Sequence, residues 1–205
     1  MKRLWQTFGR VYEKTTERIG FAALTESCGT THLALAAANY FASKERRSVL
    51  YVECTPVNGV IGLRTEHICT CGSVTGFECA GVHYMPVCSP DEALELLAAD
   101  YDVIIVEGQM RQNNQTHLFA RCDRRIFTLC AKPWHYPSLR MNLKHLRQQD
   151  CARRGSYCSF GLTEREERLI AREFQVHCSR IPYIEDPFRL KPDDLWYLKR
   201  LLRKC

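Results

Sequence analysis

Short apolar runs recur along the chain at Gly20–Leu24, Val49–Glu53, His83–Val87, Val103–Val106, Ile126–Cys130, Ser156–Phe160 and Val176–Ile181. Several are near-continuous and rich in Val and Ile, the pattern of strands covered on both faces. Helical patterns lie between them. Thr31–Ser43 is rich in Ala and Leu and long enough for three turns. Ser89-Pro90-Asp91-Glu92 reads as a capping box with proline at the first helical position, opening a helix over Asp91–Ala99. Thr163-Glu164-Arg165-Glu166 repeats the pattern before Arg168–Phe174. Pro137–Gln149 carries Leu139, Leu143 and Leu146 near helical spacing, and Asp193–Lys204 carries Leu195, Leu198, Leu201 and Leu202 on one stripe. Strands alternating with helices predict an α/β fold around a mainly parallel sheet.

The chain has 205 residues, enough for one domain with a full core, and no Pro/Gly/Ser-rich linker divides it. Its apolar fraction of 45% excludes a disordered or fibrous chain. The longest apolar stretch, Leu33 to Ala42, includes Asn39 and is too short to span a bilayer. The 12 cysteines do not form repeated CxxC pairs, and Lys2 and Arg3 are followed by no apolar signal region. A secreted disulfide scaffold and a zinc-finger array are therefore not expected. Small, burial-tolerant thiols in a reducing cytoplasm fit better.

The most informative stretch is Arg18 to Ser43, RIGFAALTESCGTTHLALAAANYFAS. A strand runs into a short loop, and Gly29-Thr30-Thr31 opens an Ala-rich helix. This is the layout of a phosphate-binding loop, where backbone N–H groups and a helix N-terminus surround an anion. At these residues the chain resembles the ParA/MinD superfamily of P-loop ATPases, whose loop reads KGGxGK[ST]. Thr25 stands at the signature lysine, Glu26 and Ser27 at the paired glycines, and Thr30 at the phosphate-binding lysine. Gly29 and the Mg²⁺-ligating type of hydroxyl, Thr31, are kept. Val49 to Pro56 is similar to the second strand, with Glu53 and Thr55 at its two acidic positions. Tyr101 to Gly108 is similar to the Walker B strand, with Glu107 for its aspartate. Ile181 to Phe188 is similar to the segment near the adenine pocket.

The resemblance covers about residues 18–190. It implies a three-layer P-loop NTPase-like fold, with a mainly parallel sheet and helices on both faces. It divides the chain into an N-terminal amphipathic extension over 1–17 and a P-loop domain over 18–205 ending in an amphipathic helix. The candidate nucleotide site is Cys28, Gly29, Thr30, Thr31, Glu53 and Glu107. Loss of both lysines removes the charge that stabilises phosphoryl transfer, and Glu26 adds a repelling one. The expectation is a site with no catalytic residues, no required cofactor and at most weak binding of ATP and Mg²⁺. Relatives lacking the lysines include the TadZ/CpaE proteins, which position pilus or secretion machinery. The implied role is a non-enzymatic positioning or scaffold factor with a protein partner. Active relatives dimerise around two ATP molecules, so a homodimer here would need other contacts. Two alternatives stay open. One is a nucleotide-dependent switch with Thr31 and Glu107 holding Mg²⁺. The other is a DNA-binding partition-type protein.

Further clusters carry weaker signals. His67, Cys69, Cys71, Cys79, His83 and Cys88 are zinc-type ligands within 22 residues, with Cys69, Cys71, Cys79 and His83 as a candidate set. The CxC spacing is awkward for one tetrahedral ion, so a metal-free loop is the favoured expectation. The stretch 121–154 carries nine basic residues against two acidic ones. Arg121, Arg124, Arg125, Lys132, Arg140, Lys144 and Arg147 make it a candidate DNA or partner surface, with a solvated helix face as the plainer reading. Both chain ends are amphipathic and basic. Leu4, Trp5, Phe8, Val11 and Tyr12 fall at helical spacing near the start. The C-terminal helix, by its likeness to MinD-type proteins, implies peripheral attachment at the inner face of the membrane in a cytoplasmic protein, against simple packing on the domain.

Overall fold

The computed structural model describes residues 15–55, 59–110, 115–148 and 155–203. The amphipathic pattern at residues 4–12, and Pro56, Arg153 and Arg154, lie outside them.

The near-continuous apolar runs become strands of one sheet. These are β1 (Glu17–Ala23), β2 (Val49–Glu53), β3 (Ile68–Cys71), β4 (Val74–Cys79), β5 (Val82–Met85), β6 (Val103–Gln109), β7 (Arg124–Thr128), β8 (Gly155–Phe160) and β9 (Cys178–Ile181). Their order is β3-β4-β5-β2-β6-β1-β7-β8-β9. Every neighbouring pair from β5 to β9 is parallel, while β3 and β4 add on antiparallel. Glu17, assigned by sequence to the extension, is the first residue of β1.

Six α-helices among the described residues cover the two faces: α1 (Thr30–Asn39), α2 (Pro90–Leu96), α3 (Gln115–Ala120), α4 (Tyr136–Gln148), α5 (Glu164–Phe174) and α6 (Pro192–Arg203). α1 and α6 pack on the face formed by Ile19, Phe21, Val49, Tyr51, Val103 and Ile105. α2 to α5 pack on the opposite face, over Ala22, Leu50, Val52, Ile104 and Val106. Successive residues of a strand alternate between faces, so the central strands carry runs that are apolar on both faces, with Glu53 and Glu107 at or near their carboxyl ends. The three-layer arrangement is the one expected.

Both capping boxes form. Ser89 and Thr163 each accept from the backbone N–H three residues on, and Glu92 and Glu166 reach back. Glu166 also holds Lys132 at 2.7 Å. Removing a cap leaves helical N–H groups unsatisfied, so Thr163→Ala is expected to cost about 1 kcal/mol in urea denaturation.

The region read as a ligand-rich loop is instead the β3–β4–β5 meander. The β4–β5 turn is Ala80-Gly81, both with positive φ (52° and 76°), as a tight two-residue hairpin requires. Cys69 and Cys71 share one strand face and pack on the core under α2 to α5, whereas Cys79 packs on the α1 face. The sheet thus stands between thiols that a single ion would have to gather. Among the described residues, no three His, Cys, Asp or Glu side chains are grouped to hold a metal. The ten described cysteines are free thiols, and six are buried. Burial pushes Cys88 and Cys178 each up to about 12, far from thiolate chemistry at neutral pH.

Candidate functional site

The candidate site lies where β1 ends and α1 begins. Leu24 to Gly29 form the loop, with Ser27 at φ 52° and Gly29 at φ 79° capping the helix. Gly29 is required twice over. Its φ is left-handed, and a Cβ there would sit 2.6 Å from the Phe160 ring.

The two residues at the lysine positions face inward. Thr25 is buried, and its hydroxyl accepts from the Cys130 backbone N–H at 2.7 Å. Thr30 is buried against Thr128, hydroxyl to hydroxyl at 2.5 Å. The Cys28 thiol joins them, 3.0 Å from the Thr25 carbonyl oxygen, 3.3 Å from the Thr30 hydroxyl and 3.2 Å from that of Thr128. Small polar groups thus satisfy one another beneath the loop.

Thr31 faces the other way. Its hydroxyl donates to Glu107 Oε1 at 2.5 Å, and the Tyr51 hydroxyl donates to Glu107 Oε2 at 2.6 Å. Glu107 is 2% exposed. Burial pushes its carboxyl up to about 7, the charge of Glu53 adds to the rise, and the two hydroxyls oppose it. Glu53 pairs in register with Glu107 on the adjacent strand. Burial raises Glu53 as well, while the Gly59 N–H at 2.7 Å and the Thr55 hydroxyl at 3.0 Å hold its Oε1. Its other oxygen is buried without a hydrogen-bond partner among the described residues.

Three supports escaped the sequence reading. Gln115, at the start of α3, donates to the Cys54 carbonyl at 2.5 Å and accepts from the Gln109 N–H at 2.6 Å, tying β2 to β6. Asn142 on α4 donates to the Leu24 carbonyl at 2.7 Å, anchoring the start of the loop. Its signal was available: an asparagine amid the buried Leu139, Leu143 and Leu146 needs a partner. His32, on the first turn of α1, meets the Ile184 carbonyl oxygen at 2.7 Å.

Together these elements enclose a cavity of about 530 Å³. Its described lining includes Glu26 and Glu107 and neither lysine nor arginine.

The basic stretch does not stay together on folding. Arg124 lies 3.0 Å from Glu17, Arg125 donates to the Phe119, Ala120 and Cys122 carbonyls, and Lys132 pairs with Glu166. Arg147 donates to the Phe174 carbonyl, and Arg140 lies over the Phe174 ring in a cation–π contact, 5.9 Å from its centroid. Arg140, Lys144 and Arg147 alone share one groove, on α4; Arg121 is exposed at the end of α3. The C-terminal stripe turns inward. Leu198, Leu201 and Leu202 of α6 are buried on the α1 face, leaving Trp196 outside with Arg200 stacked on it. No described helix is long and apolar enough to cross a membrane.

This parallel sheet, with a loop leading into a helix at the carboxyl end of its central strand, is the fold of the ParA/MinD ATPases. MinD of Aquifex aeolicus superposes with a TM-score of 0.67 at 12% identity, over 92% of this chain and 98% of that one. The ParA family ATPase of Chlorobium tepidum gives 0.66 at 13%, covering 94% of each chain. A plasmid partition protein of Borrelia burgdorferi gives 0.62 at 11%, over 93% of this chain and all of that one. Aquifex MinD also has a structure in complex with MinC. No family model and no curated protein matches the sequence. At these identities the likeness shows the fold alone.

Proposed function

We propose that this chain keeps a nucleotide-binding fold without phosphoryl transfer, and acts as a positioning or scaffold factor through a protein partner. One observation carries the reading. The residues at both lysine positions, Thr25 and Thr30, are buried and bonded to β7 and the segment just beyond it, so neither can meet a phosphate. The described cavity lining offers acid where a phosphate would need base. The fold's precedent for partner binding is MinD, solved with MinC. The lysine-less TadZ/CpaE-like resemblance favours a pilus or secretion apparatus as the structure served. Any homodimer rests on contacts other than paired nucleotides.

Purified chain with Mg²⁺ and ATP is expected to release no more phosphate than its Thr31→Ala variant. Release that depends on Thr31 would overturn the reading.

A second reading, a nucleotide-dependent switch, draws on the Thr31–Glu107 pair. A hydroxyl and a carboxylate, with Glu53 alongside, form an oxygen-only donor set that fits Mg²⁺. Thr31 and Glu107 would hold the ion, which would neutralise phosphate charge. Saturable binding of Mg²⁺-ATP without turnover in calorimetry would favour it.

A further inference from the structure

The amino end of the sheet carries a second cavity, of about 170 Å³. The seven residues of β1, at about 3.3 Å each, separate it from the phosphate loop by about 20 Å. Four cations from three separate segments face two carboxylates there: Arg47, Arg124, and Lys199 and Arg203 of α6, against Glu17 and Glu45.

The pairing leaves charge over. Glu17 is shared, its Oε2 2.7 Å from Arg47 Nη1 and its Oε1 3.0 Å from Arg124 Nε. Glu45 accepts from the Tyr40 hydroxyl at 2.9 Å and lies 3.7 Å from Arg47. The other terminal nitrogen of Arg47 donates to the Asp102 carbonyl at 2.7 Å. Both terminal nitrogens of Arg47 therefore have partners. The terminal nitrogens of Arg124, and the whole heads of Lys199 and Arg203, have no ion-pair partner among the described residues.

The described lining thus carries two net positive charges, which an anion seated in the cavity would neutralise. A carboxylate would balance one of them. A phosphate group carries about −1.5 to −2 at neutral pH and offers several acceptor oxygens to arginine and lysine donors. We propose that this cavity binds a phosphate group of a small ligand, either inorganic phosphate or a phosphomonoester, held by Arg124, Lys199 and Arg203. The site is independent of what the phosphate loop does at the other end of the sheet.

The test is calorimetric titration of the whole chain with inorganic phosphate and, separately, with glucose 6-phosphate. One saturable site is expected, weakened about tenfold or more in the Lys199→Gln/Arg203→Gln double variant. Both residues are exposed, so the variant should keep the parent's urea midpoint. Equal affinity for the two ligands would identify free phosphate as the source, and tighter binding of the ester a phosphorylated metabolite. Absence of saturable binding at millimolar concentration, or binding that the double variant leaves unchanged, would overturn the proposal. Binding confined to a DNA duplex or to phosphatidylserine vesicles would overturn it too, because the basic rim would then be a polyanion surface.

Discussion

At pH 8 the Glu107→Gln variant is expected to be more stable than the parent chain by about 3 kcal/mol, and at pH 5 by less than about 1 kcal/mol. The cause is the burial of Glu107, reinforced by Glu53 beside it. The folded carboxyl titrates near about 7, against an ordinary 4.5. Between those values the folded chain holds a proton that the unfolded chain has released. The folded state is thus favoured fully at low pH. It loses about 1.4 kcal/mol for each unit by which pH rises through the window. Glutamine is neutral at both ends of it and keeps the shape that meets Thr31 and Tyr51. Urea denaturation of both chains at pH 5 and pH 8 measures the difference. At about 2–4 °C per kcal/mol, a thermal scan should also resolve it. Equal losses in parent and variant between the two pH values would show that another group carries the dependence. Excess Mg²⁺ flattening the parent's slope would indicate that Thr31 and Glu107 hold the ion.

Gly76→Ala should be the most disruptive single change on the added strands. Gly76 lies within β4, opposite Cys69. A Cβ there would stand 1.9 Å from the Tyr84 carbonyl oxygen and 2.7 Å from Met85 Sδ. The sulfur can move. The oxygen belongs to β5 and can shift only by disturbing the Phe77–Tyr84 pairing. A loss of about 3 kcal/mol or more is expected, read from the urea midpoint. Limited proteolysis should cut the variant first between residues 68 and 79. An unchanged midpoint would mean that β4 does not lie on β5 as described.

Much of the frame was legible along the chain, and the exceptions have physical causes. The strands predicted at Val49–Glu53 and Val103–Val106 are found because strands buried on both faces leave an unbroken apolar run. β3 and β4 were missed because each has one wetter face. Their alternating thiols, threonines and glutamate read as metal-ligand chemistry when seen in one dimension. The helix expected over Thr31–Ser43 ends as an α-helix at Asn39 and widens into a π-turn through Lys44. Composition does not mark that change of hydrogen-bond register. At the candidate site the motif positions placed Thr31 and Glu107. It could not show that Tyr51 completes the pair, because Tyr51 reaches Glu107 from a neighbouring strand 56 residues away.

Charge shows the same division. Sequence placed the positive excess in residues 121–154, yet folding spends Arg125, Lys132 and Arg147 on partners brought close by the fold. It builds a different basic cavity from residues 47, 124, 199 and 203. By itself the sequence determined the α/β alternation, the two capped helices, and a loop before α1 that carries neither lysine nor arginine. These depend on neighbours a few residues apart, and local periodicity and side-chain chemistry specify them. Only the tertiary structure decided which charges meet, which thiols lie on opposite faces of the sheet, and which carboxylate is buried. Those depend on distances between segments far apart in the chain, and strand order and register set them.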